Sequence, residues 1–432
     1  MRKSGPFVKV KKKVAVAFSG GVDSSVVASI LKEMGFDVIA LHYRRGLRII
    51  KEYFPSYKTK YDKEIEYIKL LADKINIPLK IYDFSDIYYR KVFVPLIEGY
   101  RMGYTPNPDV LCNKFIKFGE LIKQASTLDI DYFAIGHYAR TGRKNPYFFW
   151  EKEGELGLYG AVDFSKDQVY FLGQIPKGVL KRVTFPLGIL YKSEVRRLAQ
   201  YFNLPSRFKE ESQGICFLGD LQFRDFLKKI FGTKKGDIID IETKQKVGEH
   251  EGIYLYTIGQ RKGLGIGGVS KPYFVADLDY KNNVVYVARG RDSNFLYFNK
   301  IIAEDINLFT PFDKFAYIFG AVRYRQKYIP VRVSVDNKRL SVETLKDKFW
   351  APAIGQYINI VGAQSPNPFS PCTRLDDIND ILNLIFGGGK TAGVKRDYAK
   401  LENSELGKRH NCRVYQEIAS AKIVNRVNSI ER

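Results

Sequence analysis

Apolar residues near the start of the chain follow two rhythms. Val14 to Phe18 is a short apolar run ending at Ser19-Gly20-Gly21, the pattern of a strand buried on both faces. From Val22 the spacing becomes helical, with Val22, Val26, Val27, Ile30, Leu31 and Met34 on one face. Phe36 to Tyr43 reads as a second strand. Residues 61–75 read as an amphipathic helix, with Ile65, Ile68, Leu71, Ala72 and Ile75 aligned. Leu79 to Phe84, just past Pro78, reads as a third strand. This alternation predicts an α/β fold with a parallel sheet. Tyr132 to Ile135 adds a strand, residues 147–162 a hairpin, Ser165 to Tyr170 the opening of a short helix, and Leu190 to Asn203 a helix stopped by Pro205.

Past Asp220 the rhythm shortens. Phe223 to Phe231 is a short helix, and the glycine-rich stretch from Gly248 to Gly268 belongs to a small β-rich module. From Val284 to about Ile360, runs such as NNVVYVAR and VRVSVD alternate as in a β-barrel. The expected division is 1–220 for the nucleotide-binding α/β domain, 221–284 for a central β-rich domain and 285–390 for a C-terminal barrel. Residues 391–432 read as a basic tail with the composition of a disordered segment. Ala363 to Asp380 is a Pro- and Asp-bearing insertion. The GGGKT after it is not a phosphate loop, because Leu384 stands where that motif needs glycine.

Composition narrows the function. A net charge of +23 on a chain able to bury real cores points to a polyanionic partner, nucleic acid before anionic membrane. No apolar run is long enough to span a bilayer, and the basic N-terminus has no apolar core before Val14, so neither a membrane segment nor a secretory signal is expected. Four cysteines without a CxxC pair argue against a disulfide framework or zinc ribbon and suit a reducing cytoplasm, where Cys112 and Cys216 are available as working thiols.

The turn between the first strand and helix is a ready anion site. Its glycines admit a close phosphate, and amides at a helix start lack partners. Ser19, Ser24 and Ser25 add hydroxyls, and Asp23 is placed to cap the helix. It is not a Walker loop, having no lysine at the helix start. S-G-G-x-D-S instead resembles the pyrophosphate loop of the N-type ATP pyrophosphatases, which implies cleavage of ATP to AMP and pyrophosphate through an adenylated substrate. Further on, Gly103 to Asn113 carries two prolines that argue against helix. Cys112 is expected at the N-terminus of the following helix, where the dipole favours thiolate, with Asp109 as helix cap or acid–base group. Gly136 ends a strand and permits close approach to a ligand.

SGGVDSS, TPNPDVLCN, GHYAR, KDQ, SQGICF, VGEHEGIYLYTIGQRKGLGI and RYRQ occur in one order. Together they resemble the tRNA 2-thiouridylases, from about Val14 to Gln356. The resemblance implies an ATP site at Ala17, Phe18, Ser19, Gly20, Gly21, Val22, Asp23 and Ser24, with Tyr43 and Gly136. It places Asn107, Pro108 and Asp109 against the target base, makes Cys112 the nucleophile and makes Cys216 the persulfide carrier. It assigns tRNA contacts to His137, Lys166, Asp167, Gln168, Arg323, Tyr324 and Gln356. ATP with magnesium, tRNA, and a cysteine desulfurase or sulfur-relay protein are the implied cofactors and partners, with a Cys112–Cys216 disulfide arising in turnover. An iron–sulfur cluster on Cys112, Cys216 and Asp109 is the alternative to the persulfide route. A lysidine-synthetase type of pyrophosphatase and a non-catalytic tRNA binder are the competing readings. The chain departs from the family in having Tyr104 where arginine is usual, and His42-Tyr43-Arg44 where a Met-rich segment is common.

Overall fold

The computed structural model describes residues 12–55, 61–142, 155–210, 222–366, 369, 374–375, 377–386 and 415–427. The first domain is built on β1 (Lys13–Ala17), whose Val14, Ala15 and Val16 are fully buried. It is followed by α1 (Val22–Glu33), β2 (Asp37–Arg44), a helix at Tyr61–Ile75, β3 (Leu79–Asp83) and β4 (Tyr132–Ala134). A short antiparallel pair, β5 (Arg140–Thr141) and β6 (Leu158–Tyr159), precedes β7 (Val183–Thr184). The sheet order is β3-β2-β1-β4-β7, and every pairing is parallel. The chain leaves β1 for β2 on one side and later returns to β4 on the other. The crevice at the carboxyl end of β1 is therefore a topological switch point, where open α/β sheets bind ligands.

The expected helices at Val22, 61–75 and Leu190 are present, the last as Lys192–Tyr201. The short helix near Ser165 begins at Val169. A helical stretch that apolar spacing leaves unassigned runs from Ser85 to Arg101 and contains a π-helical turn at Tyr89–Phe93. Much of the hairpin expected at 147–162 lies outside the described residues.

The helix Phe223–Phe231 inserts Phe226 among Tyr53, Phe54 and Phe93 of the first domain. The central module is a four-stranded sheet of β8 (Gly236–Asp240), β9 (Lys246–His250), β10 (Tyr273–Asp279) and β11 (Val284–Arg289), ordered β10-β11-β8-β9. A small pair, β12 (Tyr297–Phe298) with β17 (Phe349–Trp350), links it to the barrel.

The barrel contains β13 (Lys300–Leu308), β14 (Tyr317–Ala321), β15 (Ile329–Asp336), β16 (Arg339–Thr344), β18 (Tyr357–Ala363) and β19 (Gln416–Val427). The ring runs β13-β16-β15-β14-β18-β19 and closes through β19 against β13. Closure corrects the disordered-tail expectation at 416–427, the remainder of 391–432 apart from Tyr415 lying outside the described residues: this strand closes the barrel, and Ile418, Ala419, Ser420, Ala421 and Ile423 are fully buried. Without β19, two strand edges would be left open. Gln416 of β19 also pairs with Tyr159 of β6, which ties the barrel to the first domain. No helix among the described residues is long and apolar enough to cross a membrane.

Candidate active site

A cleft of about 490 Å³ opens at the switch point. Its floor is the turn after β1, and it is lined by Ala17, Phe18, Ser19, Gly21, Val22, Asp23 and Ser24. The turn holds itself in shape. Ser19 N–H donates to Ser24 Oγ at 3.2 Å, Gly21 N–H donates to Ser19 Oγ at 3.3 Å, and Ser24 Oγ donates to the Gly21 carbonyl at 3.2 Å. Gly20 has φ +75°, and a Cβ there would lie 2.8 Å from Ile68 Cγ1, so it serves the turn's geometry and faces away from the cleft. Gly136, past β4, comes so close to the helix start that a Cβ would sit 3.2 Å from Asp23 and Ser24 backbone atoms. Gly21 is the residue before α1 and makes no side-chain cap, which leaves amides of the first turn for an anion.

Asp23 does not cap α1, because it lies inside the first turn. Its carboxylate instead accepts from Lys192 Nζ at 2.6 and 2.7 Å and from the Tyr138 hydroxyl at 3.0 Å. Lys192 and Tyr138 both line the cleft; Tyr138 belongs to the GHYAR motif but has no role assigned there, and Lys192 falls in no motif.

The second wall is the segment expected to resist helix. Pro108 opens a helical turn at Pro108–Leu111, a position where its missing N–H costs nothing. Asn107 is the cap: its Oδ1 accepts from Asp109 N–H at 3.1 Å and from Val110 N–H at 3.3 Å. Asp109 is therefore not the cap, and Cys112 sits one turn inside the helix rather than at its start. From Cys112 to Leu121 the helix is π-helical, a widening often found at functional sites. Cys112 is 3% exposed, and its Sγ lies 3.8 Å from the Tyr43 hydroxyl at the end of β2. Asp109 is exposed as a residue, yet its carboxyl is crowded by the cleft wall. Loss of water pushes its pKa up, and Lys117 and Arg45 pull it back down.

His137 follows Gly136 and is buried, with Lys117 Nζ 3.4 Å from its Nε2. Burial first, and the Lys117 charge second, hold its pKa well below the usual histidine value, so the ring is neutral at neutral pH. Lys166, Gln168 and Tyr324 also line the cleft. Tyr324 packs on Phe171 at 4.6 Å between ring centres and lies under the Arg325 guanidinium at 5.0 Å.

Asp167, Arg323, Gln356, Asn107 and Pro108 do not line the cleft. Asp167 faces inward and accepts from Ala161 N–H at 2.6 Å, Val169 N–H at 2.9 Å and the Tyr415 hydroxyl at 2.6 Å. Arg323 donates to the Ile258 carbonyl of the central module. Gln356 accepts from Asn107 Nδ2 at 3.2 Å and donates to the Thr105 carbonyl at 2.8 Å. These side chains join the domains around the cleft. Cys216 lies outside the described residues. Arg45, Lys117, Lys166, Lys192, Lys209 and Arg325 outnumber Asp23, Glu64, Asp109 and Glu210 in the lining, which favours an anionic occupant. Among the described residues no group of three or more His, Cys, Asp or Glu is disposed to hold a metal ion.

Comparison with known proteins follows the same division. Residues 12–220 match the family model described as a tRNA methyl transferase HUP domain, and residues 224–289 match the tRNA methyl transferase PRC-barrel domain. A tRNA-specific 2-thiouridylase of Chlamydia trachomatis serovar D is 42% identical over 73% of this chain and 85% of its own length. Proteins of the same description from Mycoplasmopsis pulmonis and Staphylococcus aureus are 40% and 39% identical, over 82% and 80% of this chain and 94% and 91% of theirs. A solved NMN synthetase from Francisella tularensis matches at 15% identity and a TM-score of 0.28, covering 50% of this chain and 71% of that one, and carries no argument. At these identities, over nearly the full length of its relatives, the chain belongs to the tRNA-specific 2-thiouridylase family.

Proposed function

We propose that the chain is an ATP-dependent sulfurtransferase that converts the wobble uridine of tRNA to 2-thiouridine. The observation that carries this reading is that one cation-rich cleft collects the glycine turn after β1 and the buried thiol of Cys112. The turn suits the phosphates of ATP: its amides and the start of α1 favour an anion, and Gly136 leaves room beside it. Magnesium accompanies those phosphates and offsets their charge. The basic surface, with a net charge of +23, suits tRNA.

A pyrimidine 2-carbonyl is a poor electrophile without a leaving group. Its oxygen attacks the α-phosphorus of ATP, and pyrophosphate leaves. The terminal sulfur of a persulfide on Cys216 then attacks C2, and AMP departs with the original oxygen. The Cys112 thiolate attacks the Cys216 sulfur, breaks the sulfur–sulfur bond and frees 2-thiouridine. A Cys112–Cys216 disulfide remains, and an external thiol reduces it. The persulfide is renewed by a sulfur donor, a cysteine desulfurase or a relay protein. The target base must leave the anticodon stack to reach a cleft of this kind. Asp109, crowded at the cleft wall with a raised pKa, serves as the acid–base group of this chemistry. Lys166, Gln168 and Tyr324, which line the cleft with His137, meet the tRNA there.

The test is reconstitution with unmodified tRNA, ATP, a cysteine desulfurase and cysteine, read by nucleoside mass spectrometry. AMP, pyrophosphate and 2-thiouridine forming together is the expected result. A methylated nucleoside, as the domain models' description would suggest, or a lysidine, overturns the reading.

A further inference from the structure

Tyr43 ends β2 at the edge of the cleft, where the sequence suggests a residue flanking a nucleotide. The structure gives its hydroxyl a second neighbour. The phenolic oxygen lies 3.8 Å from Cys112 Sγ, within reach of a hydrogen bond to sulfur. The ring is held in place by stacking on Phe84 at 5.5 Å, by His42 at 6.4 Å and by the Arg45 guanidinium at 5.4 Å. Tyr43 is 8% exposed and Cys112 is 3% exposed.

Burial works against a thiolate, because the anion loses its water. The helix start does not make good the loss. Two of its first amides are spent on the Asn107 side chain, and the Cys112 amide bonds back to the carbonyls of Pro108 and Asp109. The Tyr43 hydroxyl approaches the sulfur from another element, and a hydroxyl bonded to an anion is the stronger kind of hydrogen bond.

We propose that the Tyr43 hydroxyl donates a hydrogen bond to the Cys112 thiolate and so prepares that sulfur for attack on the sulfur–sulfur bond. This rests on the reading of Cys112 as the second thiol of the transfer. The thiol proton leaves to water in the cleft, and the tyrosine keeps its own proton. When the sulfur's electron pair forms the new bond to the Cys216 sulfur, the hydrogen bond is given up.

The test uses the full chain without tRNA or ATP. Wild type and Tyr43→Phe are treated with iodoacetamide from about pH 6 to about pH 10, and alkylation of the Cys112 peptide is timed by mass spectrometry. Phenylalanine keeps the ring and its stacking. The variant is expected to react about tenfold more slowly near neutral pH, and as fast or slightly faster at the alkaline end, where every thiol is ionised. Superimposable profiles overturn the proposal. So does slowing by one factor at every pH, which reports access and not ionisation. Tyr43→Met, which removes the hydroxyl and the ring together, is expected to give the same alkaline shift and carries the test if Tyr43→Phe does not fold. Because alkylation needs neither substrate, its failure leaves the thiolation reading standing, and failure to thiolate tRNA leaves the alkylation result standing.

Discussion

At the scale of single residues, the turn proposed to hold the phosphates of ATP carries its own acid, which Lys192 neutralises. Asp23 lies in the first turn of α1, where a bare carboxylate would repel incoming phosphates. Lys192 reaches both of its oxygens, and the pair is mostly shielded from water, with the lysine side chain 13% exposed. Lys192→Met is expected to raise the KM for ATP about tenfold or more, measured as AMP formed on tRNA while ATP is varied. Adding Asp23→Asn should recover much of the loss; an unchanged KM in the single variant would show that the pair only braces the fold. The turn itself was legible because its glycines, serines and flanking apolar runs are consecutive. Its partners were not, since Lys192 and Tyr138 lie 169 and 115 residues from Asp23. The Tyr43–Cys112 contact was hidden for the same reason, because it needs the end of β2 and the Pro108 helix brought together. Asp109 and Asn107 show a finer limit: either type caps helices, and backbone geometry chose Asn107.

At the scale of elements, the two segments that looked least structured carry the most unexpected packing. β19 escaped notice because its first half is buried on both sides, so Gln416 to Ser420 show no alternation. Within it, Glu417 is fully buried, and burial first, then the charge of Asp167, hold its pKa well above the usual glutamate value. A raised carboxyl pKa contributes stability that is complete below the ordinary value of 4.5 and is lost as pH rises through the folded value. Glu417→Gln should therefore raise the thermal midpoint at about pH 8, with the gain shrinking toward about pH 4.5. An equal difference at both ends of that range would contradict the sign.

The insertion behaves similarly. A helix at Ile378–Phe386 begins in the last three residues of the insertion and runs past it, and its Ile381 and Ile385 are buried in one cluster with Val195, Leu198 and Ala199 of the helix that carries Lys192. Leu375 N–H donates to the buried Glu194 carboxylate at 2.7 Å. The Pro- and Asp-bearing stretch just before it drew attention away from this helix. Ile381→Ala is expected to cost about 2–4 kcal/mol in urea unfolding. A cost near zero would mean that this helix does not brace the domain.

At the scale of the whole molecule, the first domain supplies the cleft floor, while Tyr324 and Arg325 of the barrel domain supply part of its rim. The Asn107–Gln356 and Asp167–Tyr415 bonds tie the two together, so the barrel fixes its side of the cleft relative to the first domain. The parallel sheet and much of the barrel were legible from their apolar rhythms, although NNVVYVAR, read as a barrel strand, forms β11 of the central module; the closing strand and the docking of the domains were not, since both depend on contacts distant in sequence. With a net charge of +23, affinity for tRNA should fall steeply with salt. If about six phosphates are neutralised, the Kd should weaken roughly 10³-fold between about 50 and 200 mM salt. A flat response would point to recognition without phosphate contacts.

The central claim is that the uridine oxygen is activated by ATP and leaves with AMP. Transfer RNA carrying ¹⁸O at the 2-carbonyl of the wobble uridine tests it directly. Thiolation with ATP should place the heavy oxygen in the phosphate of AMP, in step with 2-thiouridine formed. Release of the label to water, or AMP of ordinary mass alongside thiolated tRNA, would contradict the account.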